Sequence, residues 1–339
     1  MKNIELLIQN GNVVYQPVLE GGINWDTERT STPGKLTFKV IQDGSFKFAE
    51  GNPVRLKIDN DEIFYGFIFT IKKTKEKEIS ITAYDQLRYF KNKDTYVYNN
   101  KTASAFIKML ANDFYLNIGE IEDTNYVIPS RVEENQELFE MIKNALSLTL
   151  QNKKEMYVLY DKFGKLTLKN IRNMIVPILI DEETGGNYDY QISIDSNVYN
   201  KIKLTYDNDK TGKREVYIAQ DTKNINNWGV LQYFEKLQKN ENGQSKADAL
   251  LSLYNKKKRK LSISDVIGDL RVRAGSLIPV KIDLGDINVL QLMIVEKCSH
   301  SFDNNQHLMK LTLKGSDFDV WYEWFIKNNK TSSSECSRC

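Results

Sequence analysis

The chain has 339 residues, 41 % hydrophobic and 27 % charged, which excludes intrinsic disorder and the collagen-like and disulfide-scaffold classes. Its length suits about two domains, and 47 basic against 45 acidic side chains leave a net charge of +2, which argues against a dedicated nucleic-acid binder. No apolar run reaches the ~18 residues of a membrane helix, and Met1 to Asn12 shows no basic region followed by an apolar one, so neither a membrane span nor a secretory signal is expected.

The first ninety residues read as β. Leu36 to Val40, Val54 to Asp59, Ile63 to Ile71 and Glu78 to Tyr84 are rich in β-branched and aromatic residues. Asp43-Gly44, Glu50-Gly51-Asn52 and a lysine-rich stretch separate them. In Leu36 to Val40 the apolar residues alternate with Thr37 and Lys39, the pattern of a sheet with one wet face. The period then changes. Thr102 is placed to cap a helix carrying Phe106, Met109, Leu110 and Phe114 at spacings of three and four. A second helix is predicted from Glu134 or Asn135 through Leu138, Met141, Ile142 and Leu146. Glu155 to Ile171 reads as a hairpin turning at Asp161 to Gly164.

From Tyr190 the alternation returns, in Gln191 to Ser196, Asn200 to Asp209 and Arg214 to Asp221, with a turn at Asp207 to Asp209. A third helix is predicted over Ser245 to Lys257, with Ser245 as its N-cap and lysines in its last turn. Strands follow at Leu261 to Val266, Arg271 to Gly275, Ile278 to Leu284, Val289 to Ser299 and His307 to Gly315. Asp317 to Asn328 has the spacing of a short helix.

Glu50 to Lys73 aligns without gaps on Ala274 to Lys297, with six identities in 24 positions, among them Gly51 with Gly275 and Lys57-Ile58-Asp59 with Lys281-Ile282-Asp283. Two readings stand: chance likeness of two β-rich stretches, or two copies of one β domain flanking the α+β stretch.

Few residues offer catalytic chemistry. His300 and His307 are the two histidines, which excludes multi-histidine metal clusters, and no hydrolase, phosphate-loop or dinucleotide motif occurs. Cys298 and His300 share a strand face, but packing at a strand end explains them, and His300 with His307 reads as a cross-strand pair. Cys336 and Cys339 supply two thiols where a closed zinc site needs four ligands, and a flexible tail is expected there. Glu133-Glu134 and Glu182-Glu183 read as solvated turns. The run Lys256 to Lys260 reads as a solvated helix end, with a nucleic-acid patch as the sharper alternative.

Taken in order, several segments carry a resemblance: NWDTERTSTPGKLTFKV, FAEGNPVRLKI, IFYGFIFT and ITAYDQLRYFKNKDTYVY, then SNVYNKIKLTYDNDKTGKREVYIAQD, and the run from AGSLIPVKIDLGDI to HLMKLTLKG. The set, over about Trp25 to Gly315, resembles the XkdQ/YqbQ family of baseplate hub proteins from contractile phage tails, defective prophages and phage-tail-like bacteriocins, distantly late control D-like. That resemblance implies a mainly β fold with an inserted α+β unit and two tail-tube-like β-barrel or sandwich domains per chain. The expected division is a first tube-like domain over 1–93, an α+β domain over 94–188, a second tube-like domain with one helix over 189–328, and a flexible tail over 329–339. Whether chain after the insert completes the first barrel is open at this stage.

The implied function is structural: a homotrimeric axial ring adapting the hexameric tail tube to the trimeric central spike. The implied partners are the chain itself, the spike protein, a tail tube or tube initiator protein and baseplate wedge proteins, with no membrane and no specific nucleic acid. The particle baseplate is the implied location, after synthesis and assembly in the bacterial cytoplasm. No catalytic residue, cofactor or metal is expected. The duplicated strands, at Val54, Leu56, Ile58, Val280 and Ile282, are the expected contacts between copies. The alternative function is a tail-associated peptidoglycan hydrolase.

Overall fold

The computed structural model describes residues 3–41, 47–75, 78–181, 184–208, 211–237, 242–283, 288–303 and 306–315. The fold is mostly β, with small helical units. The chain divides into two compact units, one made of Met1–Asp189, Leu261–Val289 and Met293–Leu313, the other built around Tyr190–Lys260.

The first unit begins with seven strands: β1 (Ile4–Asn10), β2 (Val13–Tyr15), β3 (Ile23–Glu28), β4 (Lys35–Ile41), β5 (Pro53–Ile58), β6 (Asp61–Lys73) and β7 (Glu78–Tyr84). Alternation sets their faces: Leu36, Phe38 and Val40 of β4 are buried while Thr37 and Lys39 are not. They share one apolar core with Leu56, Ile58 and Ile81. Neighbouring strands run antiparallel in the order β3-β4-β7-β6-β5-β1-β2.

The α+β part follows: β8 (Lys93–Thr102), α1 (Ala103–Asp113), β9 (Ile118–Ile121), β10 (Val127–Glu137), α2 (Leu138–Lys153), β11 (Tyr157–Asp161) and β12 (Leu166–Asn170). Thr102 caps α1 as expected, its hydroxyl accepting from the Ala105 N–H at 3.2 Å. α2 starts three or four residues later than the periodicity predicts, because β10 stays paired to β8 up to Glu137, opposite Lys93. Glu133 is a correction. It is a buried residue of β10, held by Arg131 at 2.8 Å and by the Asn144 side-chain amide at 3.1 Å, next to a bulge. Glu182 and Glu183 lie outside the described residues.

A short β13 (Ile180–Asp181) and β14 (Tyr188–Ser193) lead on to the second unit, with β15 (Lys201–Asn208), β16 (Lys213–Gln220), α3 (Thr222–Trp228), β17 (Gln232–Lys236) and α4 (Gly243–Tyr254). Its sheet has the order β16-β15-β17, and Ile202 and Leu204 of β15 pack against Ala247 and Leu250 of α4. The α4 cap is Asn242, not Ser245: the Asn242 side chain accepts the Ser245 N–H at 3.1 Å. The helix ends at Tyr254, so the lysine run lies beyond it rather than in its last turn. α3 was not predicted from the sequence; Asp221 caps it, accepting the Asn224 N–H at 2.9 Å.

The chain then returns to the first unit as β18 (Lys258–Ile267), β19 (Leu277–Asp283), β20 (Asn288–Asp303) and β21 (Gln306–Gly315). Arg271 to Gly275 is a turn, not the predicted strand. Asp269 accepts the Arg271 N–H at 2.9 Å, Ser276 N–H bonds to the Arg273 carbonyl at 3.0 Å, and Gly275 sits at φ +94°. β20 pairs antiparallel with β3 from Lys297 opposite Glu28 to Phe302 opposite Ile23.

One order recurs. β18, β21, β20 and β19 are neighbours in that sequence, as are β4, β7, β6 and β5. The aligned glycines match too. Gly51 at φ +83° donates to the Ile68 carbonyl, and Ile68 N–H donates to Asn52. Gly275 at φ +94° donates to the Val295 carbonyl, and Val295 N–H donates to Ser276.

Candidate interaction surface

A charged cleft lies on the outward side of the first unit's sheet and has a volume of about 800 Å³. Strand register builds it. Ser299, Asp26, Lys35 and Tyr84 lie opposite one another across β20, β3, β4 and β7, and Lys297 lies opposite Glu28. Five cations line it, Lys35, Arg88, Lys91, Lys297 and Lys310, against the two carboxylates Asp26 and Glu28. Both carboxylates are committed: Lys35 lies 2.9 Å from Asp26 and Lys297 lies 2.9 Å from Glu28, and the Ser299 hydroxyl also donates to Asp26. Arg88, Lys91 and Lys310 form no ion pair among the described residues. Phe69 and Tyr84 form the apolar wall, edge to face at 5.6 Å, with the Arg88 guanidinium 5.3 Å over Phe69.

Arg88 and Lys91 stand on a 3₁₀ helix, Gln86–Lys91, and a three-residue repeat puts them on one side. Asp85 fixes that helix. One of its carboxylate oxygens accepts the Leu87 N–H at 3.0 Å, and the other accepts the Gly34 N–H at 2.9 Å. A Cβ at Gly34 would overlap the Asp85 carboxylate, so glycine is required there. Gln86 lies beneath, donating to Asp161 at 2.8 Å and accepting the Asn117 N–H at 2.9 Å. Asp161 also accepts the Gly164 N–H at 2.7 Å. Burial and the neighbouring Asp161 charge push the Asp85 carboxyl well up, opposed by the Gly34 and Leu87 N–H groups and by Arg273. Burial pushes Asp161 up to about 6. Arg273 closes this buried joint, donating to the Asp161 carbonyl at 3.1 Å and stacking 3.9 Å over Tyr160.

Val54, Leu56 and Ile58 are buried in the core, and Val280 and Ile282 are buried as well. β5 lies between β1 and β6, and β19 between β13 and β20. The outward side chains of these strands are Arg55, Lys57 and Lys281. His300 and His307 do pair across the β20–β21 hairpin, Nδ1 to Nε2 at 2.8 Å. His300 Nε2 faces the Val272 carbonyl at 2.8 Å and so carries a proton. Cys298 Sγ lies 3.1 Å from that same protonated nitrogen, and burial pushes its thiol up, so this pair does not make a thiolate nucleophile. The last three residues of the run Lys256 to Lys260 enter β18, where side chains alternate between faces. Cys336, Cys339, the Asp317 to Asn328 helix and Asp209 lie outside the described residues.

A profile of the YQBQ-like family matches residues 23–314. The chain belongs to that family. The matched span runs from the first residue of β3 into β21, so it takes in every element that lines the cleft of this YQBQ-like protein. Bacillus subtilis (strain 168) YqbQ is 31 % identical over 320 residues, covering 91 % of this chain and 95 % of its own. The phage-like element PBSX protein XkdQ of the same organism is 30 % identical over 274 residues, covering 78 % and 82 %. The fold is shared with the prophage MuSo2 43 kDa tail protein from Shewanella oneidensis, at TM-score 0.69 and 12 % identity over 93 % of this chain and 99 % of that one. It is also shared, at TM-score 0.54 and 8 % identity over 92 % and 77 %, with the E. coli c3393 protein, a type VI secretion component described as similar to T4 tail proteins gp27 and gp5.

Proposed function

We propose that this YQBQ-like protein is a structural baseplate hub of a contractile tail or tail-like bacteriocin. Three copies form an axial ring between the trimeric spike and the hexameric tail tube or its initiator protein, with wedge proteins outside. The observation that carries the reading is the strand order β18-β21-β20-β19, which repeats β4-β7-β6-β5 around matching glycines. A duplicated domain on a three-fold axis presents six similar faces on one side while remaining three-fold on the other. The two tube-like domains of this reading are those two four-strand sets. Contacts between copies then run along the outward residues of the duplicated strands, Arg55, Lys57 and Lys281, since the neighbouring apolar residues are buried in the chain.

Tail-protein folds among the solved relatives support the assignment, as does kinship to a protein of a phage-like element. A peptidoglycan hydrolase would need a cleft acid free to act, and Asp26 and Glu28 are both ion-paired to lysines.

Light scattering over a concentration series, with and without the neighbouring spike protein, tests the reading. A mass of three chains is expected, alone or with the spike. A monomer under both conditions at high concentration overturns it.

A further inference from the structure

We propose that the outward cleft between the 3₁₀ helix, β3 and β21 is a docking site for an acidic, aromatic-bearing polypeptide segment of a partner protein. The proposal does not depend on the number of copies in the assembly. Charge complementarity carries it. Lys35 and Lys297 are neutralised in place by Asp26 and Glu28, but Arg88, Lys91 and Lys310 form no ion pair among the described residues, which leaves a positive excess at three separate points of the cleft. Lys91 and Lys310 are exposed and Arg88 is half-buried, so their charges are within reach of an incoming carboxylate.

The wall adds a second preference. Phe69 stands on the solvent side of β6 rather than in the core, with Arg88 over its face. An aromatic side chain entering the cleft meets both a ring edge and a guanidinium plane. Carboxylates and rings on one short segment therefore match what the cleft offers. A nucleic-acid backbone matches it less well. It carries a negative charge at every step and no backbone donor, and would bring phosphates against Asp26 and Glu28. A peptide brings N–H donors beside its carboxylates, and each of those two acids, though paired to a lysine, has lone pairs left to accept them.

The test uses the full chain and a short fluorescein-labelled peptide alternating glutamate and tyrosine, read by anisotropy at low salt. Saturable binding is expected, weakening as salt rises. Arg88→Glu with Lys310→Glu should weaken it about tenfold or more, since complementary charges are replaced by like ones. Thr312→Trp, which adds bulk to the cleft wall without changing its charge, should weaken it as well. Thermal melting of each variant checks that it is folded, and the two variants perturb different properties, so the failure of one to fold leaves the other decisive. Absence of binding at low salt overturns the proposal. So does binding that neither folded variant weakens. Tighter binding of a short DNA duplex, with the same sensitivity to the variants, overturns the choice of a polypeptide.

Discussion

Asp85 follows β7, caps the 3₁₀ helix and accepts the Gly34 N–H, so one carboxylate sets the position of Arg88 and Lys91. Asp85→Ala leaves two buried N–H groups without acceptors, and a loss of about 1–3 kcal/mol is expected in urea denaturation. Asp161 gives a pH prediction. Its folded carboxyl titrates at about 6, above the ordinary 3.8, so the folded state holds the proton more tightly than the unfolded one. The stability this contributes is complete below 3.8 and is lost as pH rises through about 6. Between pH 5 and 7 the urea midpoint of the native chain should therefore fall more steeply than that of Asp161→Asn; equal slopes would refute the assignment. The sequence places Asp161 in a hairpin turn, and the turn is there. Nothing in its neighbourhood shows that it is buried beside Asp85, because that depends on Gln86, 75 residues away in the chain, donating to it.

Period-two alternation gives the buried faces of β4, β5 and β7 directly, because a strand with one wet face has few other ways to arrange them. Helix starts are read less well. At α2 the β8–β10 ladder takes the residues that the pattern assigns to the helix, and at α4 the cap is Asn242, three residues before Ser245, whose N–H it accepts. α3 escapes notice because none of its residues is buried, so no apolar stripe marks it. Leu250 joins α4 to its sheet, fully buried. Leu250→Ala should cost about 2–4 kcal/mol and remove hydrogen-exchange protection across β15, β16 and α4. Leu56→Ala should likewise act through folding: a lower denaturation midpoint is expected, since its side chain lies in the core of its own chain.

For the molecule as a whole, the repeat of 24 residues marks a larger recurrence of four strands, whose order no local pattern contains. The sequence alone determined that the chain is mostly β, which residues of most strands face inward, and where α1 is capped. These follow from side-chain period and backbone sterics, which act over a few residues. Only the tertiary structure decided that β20 pairs with β3, that Asp85, Asp161 and Arg273 share one buried joint, and that five cations meet in a cleft. Those outcomes depend on contacts between residues up to 279 positions apart, as Ile23 and Phe302 are, and on how far each group is removed from water, and neither is encoded in the order of neighbouring residues.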